Sequence, residues 1–366
     1  MSLSKIINGD KVLLAIVMIL AIFSFLPVFS ASSNLSYGIG GSSPLFYLIK
    51  HFIILLFGFV LMITIQKIPF KNYRWISILL LPIGLFLLIY TASQGTMISG
   101  ANASRWINIP IIGVSFQSSS LASIILLTYV AHYLAKYDLK KIEFSKTVVP
   151  LWAPIFIYIF LILPSNFSTA AILFLSIILT LFVSGYPFRH LFKIVAFLVV
   201  FFMFFLTIVK EHPDKFPNRV DTWVSRIENF KSAKNIDANY QIERSKAAII
   251  NGGLFGVGVG KSVMKYELPQ SSSDFIFAII VEEFGVIVGG LLIILYLLML
   301  FRVLVIVHKV DNKFGQILVT ALGLYIIIQA FTNISVSTQV IPVTGQNLPL
   351  VSSGGSAAWI TCICLG

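Results

Sequence analysis

The chain has 366 residues, of which 58% are hydrophobic and 11% charged, and its mean hydropathy is +0.95. A water-soluble domain carries roughly a quarter charged residues, so this balance excludes a soluble surface and leaves a single integral membrane domain over residues 1–366. The net charge of +12 does not point to nucleic acid, because the basic residues fall mostly between apolar runs, where they set topology and meet phosphate and lipid head groups.

A first apolar run from about Val12 to Ser30 follows Lys5 and Lys11. It is too long for the hydrophobic segment of a signal peptide and many runs follow it, which predicts a retained first span. The next runs fall at about 45 to 65, 75 to 92, 115 to 135, 148 to 164, 168 to 184 and 192 to 210. After a long polar interval come three more, at about 274 to 301, 315 to 337 and 350 to 366. The pattern predicts an all-α, polytopic membrane protein of about ten transmembrane helices, since a span takes roughly 20 apolar residues.

With the N-terminus inside, the connections on that side carry Lys67, Lys71 and Arg74, then Lys136, Lys140, Lys141 and Lys146, then Arg189 and Lys193, then Arg302, Lys309 and Lys313. The short connections on the other side carry only Lys50 and Arg105. The positive-inside rule then puts both termini in the cytoplasm and residues 211–273 in one long extracytoplasmic loop. In that loop Val220, Trp223, Val224, Ile227 and Phe230 recur at helical spacing among Arg219, Arg226, Glu228 and Lys231. This predicts an amphipathic helix lying in the outer interface. Asn239 to Ile250 reads as a second short helix, and Gly252, Gly253, Gly256, Gly258 and Gly260 give a flexible backbone just before Lys261. The last run stops at Gly366 without a polar anchor, so the natural chain is expected to continue a little further. Cys362 and Cys364 lie two apart in it, where a helix turns them to different faces, and no disulfide or metal site is expected from them.

Gly260-Lys261-Ser262 imitates the end of a nucleotide-binding loop, but that loop wants a glycine five residues before Gly260, where Phe255 stands. No nucleotide is expected. The stretch reads equally as a cradle for another phosphate, with Lys261 or Lys265 as its cation, and as a packing turn. Asp274 stands where the long loop meets an apolar helix, which puts its carboxylate half-desolvated at the outer membrane surface. One reading makes it a helix N-cap for Phe275 to Phe277. The other makes it a general base, because partial burial raises a carboxylate pKa toward the working pH. Glu282 and Glu283 lie deeper, where a charge costs roughly 2.5 to 3.5 kcal/mol. They either pair with a basic group, stay protonated, or act on a substrate. Arg105, in Ser104-Arg105-Trp106-Ile107, suits phosphate binding and interfacial anchoring equally. No pair of histidines has metal-ligand spacing.

Asn333 with Pro342-Val343-Thr344-Gly345, then Leu348-Pro349-Leu350-Val351-Ser352-Ser353-Gly354-Gly355-Ser356-Ala357, resembles the signature of the SEDS proteins (shape, elongation, division and sporulation), the FtsW, RodA and SpoVE group. The match departs at Gln339 and Gln346. Leu268-Pro269-Gln270-Ser271-Ser272-Ser273-Asp274-Phe275-Ile276-Phe277-Ala278 with Glu282-Glu283-Phe284-Gly285 resembles a second family block, with Gln270 in place of a glutamate. Asn239-Tyr240-Gln241 and the following Gly252-Gly253 resemble a third. Ser118-Ser119-Ser120 stands where the family often has Pro-Ser-Glu, and Asn166-Phe167-Ser168-Thr169-Ala170 where it often has Asp-Leu-Gly-Thr-Ala.

The resemblance implies the SEDS fold and a peptidoglycan glycosyltransferase that polymerises lipid II in the bacterial cytoplasmic membrane with a class B penicillin-binding protein. It places the catalytic carboxylate on Asp274. The segment around Gly260-Lys261-Ser262 and Lys265 looks more like the division branch than the elongation branch, which implies septal synthesis beside other division proteins. The substrates expected are lipid II and a glycan strand on undecaprenyl pyrophosphate. Arg105, Arg219, Lys261 and Lys265 are candidate pyrophosphate clamps, with a divalent cation, Mg2+ or Mn2+, as an optional aid. Gln241 is a further candidate substrate contact. Two alternatives stay open: a lipid II flippase with Glu282 and Glu283 along its path, and a non-catalytic scaffold. An elongation-type polymerase is the variant within the same activity.

Overall fold

The computed structural model describes residues 9–36, 43–93, 97–98, 101–102, 106–109, 114–139, 142–211 and 236–366. Arg105, Arg219 and the amphipathic helix expected near residues 220–230 lie outside them.

A helix occupies each predicted apolar run. In chain order these are α1 (Lys11–Ser36), α2 (Pro44–Gln66), α3 (Tyr73–Ser93), α4 (Ser118–Lys136), α5 (Phe144–Ile162), α6 (Phe167–Val183) and α7 (Phe188–Glu211). Then come α8 (Ile236–Gly252), the single turn α9 (Met264–Glu267), α10 (Ile276–Lys309), α11 (Lys313–Ser337) and α12 (Gly355–Leu365). Among the described residues, 7 helices are long and apolar enough to cross a membrane, with α6 and α12 as shorter apolar helices; α7 adds a helix of 24 residues. The second short helix expected in the long loop is α8.

Polar residues cap the starts of four of the helices. Asp10 caps α1, its Oδ1 accepting from the Val12 and Leu13 amides at 3.1 and 2.9 Å, and it holds Arg302 of α10 through bonds of 2.7 and 2.6 Å. Ser43 caps α2 just ahead of Pro44, where a missing N–H costs nothing. Asn166 caps α6 through the Thr169 amide, and Asn312 caps α11 through that of Phe314.

One element was not legible in the apolar pattern. Between α3 and α4 the chain forms two short antiparallel hairpins, β1 (Met97–Ile98) with β2 (Ala101–Asn102) and β3 (Trp106–Ile109) with β4 (Val114–Gln117). The second pairs Trp106 with Gln117 and Ile109 with Val114. A hairpin satisfies its backbone groups locally, which suits a segment at the edge of the bilayer.

Two buried apolar clusters organise the bundle. One gathers α1, α8, α11 and α12 around α10 through Leu20, Ala248, Ile280, Tyr296, Ile327 and Cys362. The other gathers α4, α5, α6 and the opposite side of α11 through Leu126, Trp152, Leu173 and Phe314. α11 therefore touches both, and its C-terminal end comes to the same level as the start of α10. Large apolar side chains elsewhere face outward, such as Phe52 and Leu56 on α2 and Phe197 and Phe201 on α7, as a lipid-facing surface requires.

Candidate active site

Asp274 is half-buried at the junction between the long loop and α10. The turn that delivers it closes on Gln270, whose carbonyl accepts from the Ser273 and Asp274 amides at 3.0 and 3.1 Å. Gln270 has φ 55, so this family departure alters the side chain of a turn position whose backbone work remains. The N-cap of α10 is Phe275, without a side-chain cap bond. Asp274 therefore stands one residue ahead of the N-cap position.

The segment from Gly345 to Gly354, between α11 and α12, packs against this junction. Asn333, near the end of α11, donates from Nδ2 to the Asp274 carbonyl at 2.9 Å and to the Gln346 carbonyl at 2.6 Å. Ser352 Oγ donates to the Ser273 carbonyl at 2.6 Å, and Ser353 donates from both N and Oγ to that of Ser272 at 3.0 Å. Gln346 Nε2 reaches Thr169 Oγ1 at 3.1 Å, and Tyr296 of α10 donates to the Pro349 carbonyl at 2.6 Å. Gly345, in the left-handed region at φ +68, lies against the Asp274 carboxylate; a Cβ there would stand 3.4 Å from Oδ2. The two segments that resemble family signatures are thus one hydrogen-bonded unit around Asp274.

Glu282 and Glu283 form a second polar centre, roughly 12 Å further along the axis of α10. Each is 1% exposed. Glu282 accepts from the Ser262 hydroxyl and from the Val263 and Met264 amides at 3.3 and 3.4 Å. Glu283 accepts from the Ser30 hydroxyl of α1 and the Ser262 amide. The acids are stabilised at depth by donors from the loop and from α1, as buried carboxylates must be. Lys265, 3% exposed, donates from Nζ to the Gly260 carbonyl at 2.7 Å and to Ser30 Oγ at 3.2 Å. Its ammonium is turned inward and shares Ser30 with Glu283.

The glycine-rich stretch is the reason the acids meet that loop. α10 breaks at Gly285, with φ 86 and ψ 168, and the freed backbone groups pair across the gap. The carbonyls of Glu282 and Glu283 accept from the Val257 and Gly258 amides at 2.9 and 3.1 Å, and the Val286 amide donates to the Gly253 carbonyl at 2.9 Å. A Cβ on Gly252, Gly256 or Gly285 would run into the carbonyls of Val281, Glu283 or Leu254, so the close approach requires glycine. The stretch is a packing turn; the amides of Val257 and Gly258 are spent on the helix and do not cradle a phosphate. Lys261 differs from Lys265, being exposed beyond this turn. Gln241 is half-buried on α8, four residues before Ser245, whose hydroxyl bonds the Ser337 carbonyl at 2.8 Å.

Among the described residues, no three His, Cys, Asp or Glu side chains gather into a group that could hold a metal ion. The polar residues that carry the site's architecture, Asn333, Gln346, Ser262 and Ser30, received no role from sequence. The usable signal was a carboxamide or hydroxyl inside an apolar run, which must find a partner there.

A family model for FtsW, RodA and SpoVE, described as "Cell cycle protein", matches residues 10–366. The chain is 30% identical over 363 residues to a protein of Idiomarina loihiensis named "Probable peptidoglycan glycosyltransferase FtsW", covering 98% of this chain and 85% of that one. A protein of the same name from Coxiella burnetii is 30% identical over 88% of this chain and 85% of its own length. Among solved structures, a chain from work on polymerization and crosslinking by a peptidoglycan synthase complex superposes with TM-score 0.74 at 21% identity, over 98% of this chain and 96% of that one. The rod shape determining protein RodA of Thermus thermophilus superposes with TM-score 0.68 at 22% identity, over 98% of this chain and 95% of that one. These likenesses carry the same fold.

Proposed function

The chain belongs to the FtsW/RodA/SpoVE family of cell cycle proteins, and from that premise we propose that it is a peptidoglycan glycosyltransferase that polymerises lipid II with Asp274 as its general base. The observation that carries the assignment is the setting of Asp274: a half-buried carboxylate against Gly345, with its own main chain tied to the neighbouring segment by Asn333.

In the proposed reaction the Asp274 carboxylate takes the proton of the acceptor sugar hydroxyl on one lipid II. The resulting oxygen attacks the anomeric carbon of the glycan strand held on undecaprenyl pyrophosphate. A new glycosidic C–O bond forms as the bond to pyrophosphate breaks, the configuration at that carbon inverts, and undecaprenyl pyrophosphate leaves with the electron pair. A base within reach of the acceptor contributes typically 10² to 10⁴-fold. Arg105, Arg219 and Lys261 are assigned to the pyrophosphate, whose charge they neutralise alike in the bound substrate and in the leaving group. Lys265 is assigned a structural part, since its ammonium is bonded to Gly260 and Ser30.

The division role is supported by the name shared by the relatives, and a crosslinking partner of the class B penicillin-binding type by the likeness to a chain of a synthase complex. The setting proposed is the bacterial cytoplasmic membrane at the septum, with both termini inside and the Asp274 junction at the outer leaflet. The flippase alternative relied on Glu282 and Glu283 lining a path, and both acids are instead enclosed by residues of the long loop and α1. The test is glycan strand formation from lipid II by the purified full chain in detergent, where flipping has no meaning. Strands resolved on a gel support the transferase; their absence with a folded protein and added transpeptidase rejects it.

A further inference from the structure

Asn333 is completely buried, and its partners settle which way its carboxamide points. Both groups at Nδ2 are main-chain carbonyls, of Asp274 and of Gln346, which only accept, so the NH2 must face them. Both of its hydrogens are used, while Oδ1 is buried without a hydrogen-bond partner. The pair of donors is what the position uses, and among neutral side chains of this size only asparagine offers two from one atom.

What those donors join is specific. One bond holds the residue that carries the proposed base. The other holds Gln346, the neighbour of Gly345, and Gly345 is the residue the Asp274 carboxylate rests against. A single amide nitrogen therefore ties the main chain on both sides of the contact between carboxylate and glycine. The serine bonds of Ser352 and Ser353 tie the same segments one and two residues before Asp274, but neither reaches Asp274 itself.

We propose that Asn333 is a positioning residue for the transfer reaction: it sets the Asp274 carboxylate over Gly345 at the height and angle that proton abstraction needs. The inference rests on Asp274 being the base. Because Asn333 is buried and meets only main chain, its loss acts on the chemical step and leaves substrate binding unchanged.

The experiment compares four variants of the full chain in detergent with lipid II as substrate, each with a thermal melt. Asn333→Ala is expected to lower kcat at least tenfold with KM within twofold. Tyr296→Phe removes a comparable buried bond from the same segment, to the Pro349 carbonyl, without touching Asp274; it is expected to lose less than twofold in kcat for a similar loss in Tm. Asp274→Asn alone and combined with Asn333→Ala should share one residual rate, because a residue that acts through Asp274 has nothing further to lose. If Asn333→Ala does not fold, Asn333→Ser, which keeps one donor, is read by the same ratios. Equal kcat losses in the Asn333 and Tyr296 variants, a KM effect in place of a kcat effect, or a further drop in the double variant would overturn the proposal. A near wild-type kcat for Asn333→Ala beside an inactive Asp274→Asn removes this proposal alone, whereas an active Asp274→Asn removes the base assignment and this proposal with it.

Discussion

Gly345 lies against the carboxylate of Asp274: a Cβ at that position would stand 3.4 Å from Oδ2, on a backbone held at φ +68. An alanine there meets both constraints at once. The left-handed conformation costs a non-glycine residue roughly 1–2 kcal/mol, and relief of that strain shifts the segment beside the carboxylate, which the added methyl meets in ordinary van der Waals contact. Gly345→Ala is expected to lower Tm by several degrees and kcat by about ten- to hundredfold, since small misplacements of a reacting group cost that much. A thermal melt and steady-state polymerisation check both; a variant with wild-type kcat would mean the carboxylate does not need this clearance.

The two lysines of the glycine-rich loop should separate in experiment. Lys261 is exposed and Lys265 is 3% exposed. Lys261→Gln is expected to raise KM for lipid II with kcat and Tm unchanged, and its gap from wild type should narrow as salt screens the wild-type attraction. Lys265→Gln is expected to lower Tm, because it strips a buried charge from its partners, with KM unaltered in the protein that remains folded. Kinetics at low and high salt beside melts distinguish the two; a KM effect confined to Lys265→Gln would reverse the assignment.

Glu282 holds the loop to α10 through three donors, Ser262 Oγ and the amides of Val263 and Met264. Glu282→Ala leaves these groups unpaired, at about 1–3 kcal/mol for each that stays buried. The expected outcome is a lower Tm and faster hydrogen exchange over residues 252–265, with residues 345–352 unchanged. Faster exchange in both segments would show that the two polar centres are one cooperative unit.

Acid should weaken the tie between α1 and α10. The bonds from Arg302 hold the Asp10 carboxyl at about 2, below its ordinary 3.8. A carboxyl lowered on folding contributes stability that is complete above the unfolded value and is lost as pH falls through the folded one. Asp10→Asn keeps a capping oxygen for α1 and removes the charge. The Tm difference between wild type and Asp10→Asn should be constant from pH 7 to 5 and shrink as pH falls from about 4 toward 2. A difference independent of pH over that range would show that the ion pair adds no stability.

The helices are legible because membrane spans are written in composition: every apolar run is a helix, and the short helix expected at Asn239 to Ile250 is present as α8. The hairpins were passed over because β1 to β4 are shorter than the windows that reveal spans, although Val114-Ser115-Phe116-Gln117 alternates as a strand does. Asp274 stands out in the sequence because it is a lone acid at a loop–helix junction. Asn333 carries no local signal of its role, since its partners lie 59 and 13 residues away. The different fates of Lys261 and Lys265 depend on the break at Gly285, 24 and 20 residues downstream in sequence, which no local pattern around either lysine encodes.

The account depends most on Asp274 acting as the base, and one comparison addresses it directly. Glycan formation from lipid II is measured with purified wild-type protein and Asp274→Asn, each with added transpeptidase and each with a thermal melt. The amide keeps the shape of the side chain but cannot take the acceptor's proton. The account predicts a normal melt with polymerisation reduced by about 10² to 10⁴-fold. A variant that melts normally and polymerises at near the wild-type rate would contradict it.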